Sequence, residues 1–311
     1  MFFLGIDTSN YSTSLCAFSR DKGIIYHDKR MLPVANGGLG LRQSDAVFEH
    51  TRILPQMIDK IATEVDLTDT AAVGVSTRPR NIEGSYMPCF LVGLSVASAI
   101  SAAAKVPRYE FSHQEGHLMA ALYATTLHAD GVKDFIAFHV SGGTTDAVLC
   151  SLDNGIFTIN PLATSLDAHA GQIIDRIGVK MQLKFPAGAQ LSELAKQSTS
   201  NSKLKPTLKG YNCCLSGLQN RCETMLKEGK DNFDVARFCL NSIAASLVEM
   251  TKALRMQYGS LPVIYAGGVM QSEVIRDYIS ARINSAYFAS PAWLSADNAA
   301  GVAILASERM L

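Results

Sequence analysis

Two histidines four residues apart carry the clearest chemical signal in the 311-residue sequence: His113 and His117, in the run His113-Gln114-Glu115-Gly116-His117. On a helix, residues i and i+4 lie one above the other on one face, so both imidazoles can share a metal ion. A distant carboxylate, Asp297 beside Asn298, can complete the ligand set. A metal held this way with open coordination positions is catalytic in kind rather than structural. The spacing is a weak signal alone, because any two helical histidines can fall there by chance. His139 ends an apolar run just before Val140-Ser141 and reads first as a packing residue. It becomes a fourth ligand if the helical pair binds its metal close to the turn that follows. Imidazole and carboxylate together suit Zn²⁺ or Fe²⁺ better than Mg²⁺.

That turn, Ser141-Gly142-Gly143-Thr144-Thr145, is rich in glycine and hydroxyls. Glycines let backbone N–H groups point at an anion with no Cβ in the way. No Lys follows, so it is not a Walker A loop, and it is also what an ordinary hairpin turn looks like. A matching polar turn over residues 7–13 favours phosphate binding. Gly267-Gly268, after an apolar strand, would let a base or ribose approach the backbone. Asp175, on the helix after Gly171, is a candidate acceptor for ribose hydroxyls, although helical aspartates are mostly just solvated.

These residues need a scaffold, and the pattern around them repeats. Residues 2–18 read as strand, polar turn over Asp7–Ser12, then returning strand, with a third strand over 24–29. Helical periodicity follows from Ser44 to Val65, then a short strand at 71–75. Residues 135–150 restore the strand–turn–strand layout about 132 positions later. Helices are expected at 168–182, 188–197, 235–257 and 271–283, a strand at 262–266, and a last helix from about Asp297. Two halves that each open on such a hairpin imply an internal duplication. This layout resembles that of the actin-like ATPase superfamily, which implies a nucleotide phosphate chain held between the hairpins. The expected fold class is therefore α/β, a two-lobed actin-like ATPase (ASKHA) fold with duplicated βββαβα lobes. The N-terminal lobe is expected over 1–130 and the C-terminal lobe over 131–311, with the last helix able to pack back on the first lobe.

Composition narrows the class. With 28 basic and 28 acidic residues the chain carries no global field to attract nucleic acid or anionic lipid. An RNA partner must use a local patch, such as Arg78-Pro79-Arg80 or Lys203, Lys205 and Lys209, which otherwise read as solvated loops. Seven cysteines without CxxC spacing fit reduced thiols in a cytoplasmic protein. The N-terminus meets Asp7 without a basic leader, unlike a signal peptide. The uncharged stretch 84–104 is long enough to span a bilayer. Its Ser, Gly, Ala and Pro content instead predicts a buried core helix in a soluble protein.

Taken together, the chain resembles the tRNA N6-adenosine threonylcarbamoyltransferases, once called O-sialoglycoprotein endopeptidases, over nearly its whole length. The resemblance is carried by Leu4–Ser9, His113–His117, Val140–Thr145, Asp167 to Asp175, Phe185–Gly188, Leu215–Leu218, Ala266–Val269 and Asp297–Ala300. It implies a metal between two actin-like lobes, with His113, His117 and Asp297 on the ligand positions and His139 where some members offer a tyrosine. Val140, Ser141, Gly142, Gly143, Thr144, Asp175 and Gly188 fall on contacts to the nucleotide substrate. The implied activity moves a threonylcarbamoyl group from its adenylate to N6 of adenosine in tRNA, with paralogous partner proteins assisting.

The departures are specific. Asn10-Tyr11-Ser12 stands for an acidic Cys-Asp-Glu, Arg78-Pro79-Arg80 for Gly-Pro-Gly, and Gln172 for Glu. Ser272 replaces an Asn and is retained here as a nucleotide contact. Kept ligand positions and altered substrate positions point to a diverged paralogue. The leading expectation is a metal-dependent transferase with one Zn or Fe and an adenine nucleotide. The alternative is a scaffold paralogue that keeps metal and nucleotide. A metalloprotease with Glu115 as base ranks third, since the HExxH placement of the acid is missing.

Overall fold

Phe2-Phe3-Leu4-Gly5-Ile6 is an apolar run with no alternation, the mark of a strand buried on both faces. In the computed structural model, which describes residues 1–33, 41–291, 293–294 and 298–310, this run is the middle of a five-stranded sheet. The chain divides into two compact units. One comprises Met1–Gly131, Leu152–Phe157 and Trp293–Leu311, the other Val132–Ser151 and Thr158–Ala292.

The first unit contains β1 (Phe2–Ser9), β2 (Ser12–Ser19), β3 (Gly23–Met31), α1 (Gln43–Glu64), β4 (Thr70–Arg78), α2 (Phe90–Ala104), β5 (Arg108–Ser112), α3 (His113–Tyr123) and α4 (Thr126–Ala129). Its sheet order is β3-β2-β1-β4-β5. β2 is antiparallel to β1 and β3, while β4 lies parallel to β1 and β5 parallel to β4. Leu4, Ile6 and Leu15 share a core with Leu54, Met57 and Ile61 of α1.

The expected polar turn over 7–12 is narrower than its composition suggests. Pairing continues through Asp7↔Ser14, Thr8↔Thr13 and Ser9↔Ser12, leaving Asn10 and Tyr11 as the turn. The buried polar side chains remain in the strands because each finds a partner. The Thr8 hydroxyl donates to Cys89 O (2.9 Å) and accepts from Gly93 N (3.1 Å). Thr13 Oγ1 meets His50 Nδ1 at 2.8 Å, and His50 Nε2 meets Ser9 O at 2.8 Å.

The second unit repeats the plan with β6 (Asp134–Val140), β7 (Thr145–Asp153), β8 (Ile156–Thr164), α5 (Ala170–Lys180), α6 (Gly188–Lys196), β9 (Thr207–Lys209), β10 (Asn212–Cys214), α7 (Ser216–Lys227), α8 (Asn232–Tyr258), β11 (Val263–Ala266), α9 (Glu273–Ser280) and β12 (Ala286–Phe288). Its sheet order, β12-β11-β6-β7-β8, is that of the first sheet with β6, β7, β8, β11 and β12 in place of β1 to β5. The duplication expected from the two hairpins is therefore present strand for strand. Phe138, Tyr265 and Phe288 stack across β6, β11 and β12 with centroids 5.1 and 5.4 Å apart. Truncating Phe138 to Ala in this core would cost about 3–5 kcal/mol.

The last helix, α10 (Asn298–Arg309), belongs to the first unit, and every residue from Asn298 to Ser307 is buried. It approaches the strands very closely. A Cβ on Gly5 would lie 2.0 Å from Ala299 O, and one on Gly74 2.2 Å from Val302 O. These strand glycines are therefore the contact surface for a helix rather than weak points.

The stretch 84–104 forms a helix only from Phe90, and Phe90, Gly93 and Ala97 are its buried residues. Leu91 is 47% exposed, so α2 lies half on the surface rather than inside the core. No helix among the described residues is long and apolar enough to cross a membrane.

Candidate functional site

The imidazole pair stands where β5 runs straight into α3. Ser112 caps that helix: its hydroxyl accepts from Glu115 N (3.2 Å), and Glu115 Oε2 accepts from Ser112 N (2.6 Å) and Oγ (2.7 Å). This reciprocal box fixes the first turn. It also commits Glu115 to the cap, with Arg78 as a further neighbour at 3.9 Å. His113 and His117 then share one face, and their Nε2 atoms converge to 3.0 Å.

Asp7 decides the orientation of His113. With β1 in strand geometry, Gly5 and Asp7 share the face that α10 covers, while Ile6 and Thr8 face α2. Asp7 Oδ1 lies 2.9 Å from His113 Nδ1 and accepts from Asn298 Nδ2 at 2.6 Å. Asn298 Nδ2 also lies 2.8 Å from Ser76 Oγ and 2.9 Å from His113 Nδ1. Burial pushes the Asp7 carboxyl up, yet the adjoining His113 and the hydrogen bonds from His113, Ser76 and Asn298 hold it well below the usual carboxylate range. Asp7 is thus a buried anion at the carboxyl ends of parallel strands, where open α/β sheets place their ligands.

α10 reaches this point because glycines let α3 and α10 approach closely. A Cβ on Gly116 would lie 1.9 Å from Asn298 Oδ1, and one on Gly301 1.8 Å from Gly116 O.

The arrangement fits a divalent cation. A carboxylate on Nδ1 fixes the tautomer of a metal-ligating histidine and leaves the Nε2 lone pair outward. Both Nε2 atoms meet at one point, and Asp7 Oδ2 is buried without a hydrogen-bond partner. Among the described residues no group of three or more His, Cys, Asp or Glu side chains gathers into a cage, so the pair needs a further ligand. Asp297 lies outside the described residues. His139 belongs to the second unit, where its Nδ1 is 2.7 Å from Thr144 Oγ1.

The second unit holds a cavity of about 770 Å³ whose walls include Ser141, Gly142, Asp175, Gly188, Gly268 and Ser272. The turn hydroxyls serve the turn itself: Ser141 Oγ meets Thr144 Oγ1 at 2.8 Å and accepts from Gly143 N at 3.3 Å. The amides at the start of α5 are committed too: Ala170 N donates to Thr145 Oγ1 at 2.9 Å and Gly171 N to Ser141 O at 3.1 Å, which leaves the turn backbone itself for an anion. Gly143 is exposed, Val140 is fully buried beneath the turn, and Gly267 backs onto Val140 O. Asp175 Oδ1 accepts from Ala187 N at 2.8 Å, which ties α5 to the segment entering α6 at Gly188. Ser272 Oγ meets Ser192 Oγ at 2.8 Å.

The TsaD family model, tRNA N6-adenosine threonylcarbamoyltransferase, matches residues 35–304. The chain belongs to this family. A member from Chlorobium phaeobacteroides is 28% identical over 330 residues, covering 98% of this chain and 91% of the relative. One from Bordetella pertussis is 28% identical over 334 residues, covering 100% and 92%. Among solved structures, component A of (R)-2-hydroxyglutaryl-CoA dehydratase from Acidaminococcus fermentans covers 99% of this chain and 98% of its own, with a TM-score of 0.59 at 16% identity. HypF of T. kodakarensis has a TM-score of 0.65 at 10% identity, covering 99% and 48%. These likenesses show the actin-like ASKHA fold.

The positions that depart from the TsaD pattern are built into local structure. Asn10 Oδ1 accepts from Gln43 Nε2 at 2.5 Å, and Arg78 Nη2 donates to Asn81 Oδ1 at 2.8 Å. Gln172 Oε1 accepts from His169 N at 3.3 Å and closes the start of α5. Asp7, Ser76 and Asn298 are the site-building residues that motif reading passed over. An acid at the end of a strand buried on both faces is itself a signal, because such a charge must have a partner.

Proposed function

We propose that this chain transfers a threonylcarbamoyl group from its adenylate to N6 of an adenosine in tRNA, using one Zn or Fe ion. The observation that carries the reading is the 3.0 Å convergence of His113 and His117 Nε2, with His113 held from behind by Asp7. His113 and His117 would hold the ion with Asp297. When bound, it would supply Lewis-acid polarisation of the carbamoyl oxygen.

In the reaction the N6 amine attacks the carbamoyl carbon and a C–N bond forms. The C–O bond to phosphate breaks, AMP leaves with the electron pair, and the amine gives up a proton. The cavity of the second unit has the size of a nucleotide site. Backbone at the Ser141–Gly142 turn suits a departing phosphate. Asp175, Gly188, Gly267, Gly268 and Ser272 would line the nucleoside end. Such a protein works in the cytoplasm on tRNA with paralogous partner proteins.

A second reading is a scaffold that binds metal and nucleotide without turnover. The tethering of Asn10 and Arg78, where the family has other residues, favours it. One experiment separates them: metal-loaded protein is given threonylcarbamoyl-adenylate and tRNA, and the modified nucleoside is followed by mass spectrometry. Turnover lost in His113→Ala supports the transferase. Wild type that binds metal and AMP but leaves tRNA unmodified rejects it in favour of the scaffold.

A further inference from the structure

A second concavity in the same unit, about 500 Å³, is walled by Lys203, Lys205, Lys252, Arg282 and Tyr278. In a chain of zero formal charge this is a local excess. Four cations face one carboxylate, Glu249, whose Oε1 accepts from Lys252 Nζ at 2.9 Å. Among the described residues no acidic side chain pairs with Lys203 or Lys205.

The groove is held rigidly. Residues 198–206 have no regular secondary structure, and buried polar side chains of α8 fasten them down. Asn241 Nδ2 donates to Ser200 O (3.2 Å) and Ser202 O (3.4 Å), and Ser242 Oγ accepts from Leu204 N at 2.9 Å. Asn241 and Ser242 are 2% and 1% exposed, so core positions of α8 are given over to fixing the lysine-bearing strap. On the other wall the Arg282 guanidinium sits 3.7 Å from the centroid of the Tyr278 ring. A flat cation on an aromatic face suits phosphate contact beside base stacking.

We propose that this groove binds the phosphodiester backbone of the RNA substrate. The assignment rests on the tRNA reading above and extends it to a docking surface. α8 and α9 wall both the groove and the nucleotide cavity: Leu240 and Glu273 border the cavity, Glu249 and Tyr278 the groove. Leu240 and Glu249 are nine residues apart, roughly 13 Å along a helix. That is the rise of about four nucleotides in a helical strand. An RNA whose adenosine enters the cavity has its neighbouring phosphates within reach of the lysines.

The test is the salt dependence of tRNA binding to the purified full chain. Lys203→Glu/Lys205→Glu is compared with Lys22→Glu/Lys230→Glu, an equal charge change at exposed sites elsewhere. The groove variant should bind at least about tenfold more weakly, with the slope of log K against log salt reduced by about 2. The control should keep the wild-type slope. The AMP-induced rise in melting temperature, measured on the same samples, should be unchanged. Its absence in wild type would count against the adenylate cavity without touching the groove. Wild-type affinity and slope in the groove variant would overturn the proposal. So would a wild-type protein that binds polyglutamate and leaves tRNA free.

Discussion

Asp7 and His113 are 106 residues apart in sequence, and the carboxylate Oδ1 lies 2.9 Å from the imidazole Nδ1. This contact joins the central strand of the first unit to the first residue of the helix that carries both imidazoles. Asn298, from the other end of the chain, bonds to the same oxygen at 2.6 Å. Three distant segments thus meet at one nitrogen of one histidine.

Asp7→Asn should leave both imidazoles in place and still weaken the metal binding proposed for them. The amide cannot act as a full anion opposite Nδ1, so the ring loses its orienting partner and some basicity. Losing such an outer partner typically costs 10–100-fold in metal affinity. Chelator competition, read by elemental analysis of retained Zn or Fe, measures this directly. His113→Ala should retain none. Equal retention by Asp7→Asn and wild type would detach Asp7 from the site.

Gly116→Ala should destabilise the first unit, because the new Cβ would meet Asn298 Oδ1 at 1.9 Å. Overpacking of this kind costs about 1–3 kcal/mol or more. Gly217→Ala, with no atom within 4 Å of its Cβ, should be neutral or slightly stabilising. Urea midpoints of the two variants give the comparison. A Gly116→Ala midpoint equal to that of Gly217→Ala would mean α3 and α10 are not in contact as described.

Local patterns made much of this legible. Repeated hairpins announced the duplicated sheets, because a strand–turn–strand layout can be read within about fifteen residues. The i, i+4 histidines announced the imidazole pair for the same reason. The extent of β1 could not be read so simply: Asp7, Thr8 and Ser9 look like a turn until Asn298, Cys89 and Ser12 supply partners from elsewhere. Gly5 and Gly74 look like strand breakers until α10 lies on them. The hydroxyls of Ser141 and Thr144 look like ligand donors, yet they shape their own turn. In each case the deciding contact is long-range or depends on geometry that composition does not encode.

Gly171→Ala should uncouple the turn from α5, because its Cβ would lie 2.6 Å from both Gly142 N and Ser141 O. The turn must move, so AMP should no longer raise the melting temperature. In wild type, AMP at a hundredfold over Kd stabilises by about 2.7 kcal/mol if it binds only the folded chain. Gly143→Val should also abolish the shift, although its Cβ has open space and the variant should fold normally. Undiminished shifts in both variants would remove the turn from the nucleotide site.

Asp167 offers a test of pH dependence away from the imidazoles. Its Oδ1 accepts from Ala168 N and Leu215 N, both at 2.7 Å. Its Oδ2 accepts from Ser216 N at 3.1 Å and Ser216 Oγ at 2.6 Å, at the start of α7. Partial burial pushes this carboxyl up, but the bonds from the Ser216 hydroxyl and the Leu215, Ser216 and Ala168 amides together hold it below the ordinary carboxylate value. A group depressed on folding adds stability above its unfolded pKa of about 3.9 and loses it as pH falls through the lower folded value. Asp167→Asn should therefore lower stability at pH 7, by no more than about 1 kcal/mol because the carboxylate is exposed and screened. The gap to wild type should narrow as pH drops below about 4. Urea melts at pH 7 and pH 3 decide it: a gap that stays constant means the charge of Asp167 does not hold the cap.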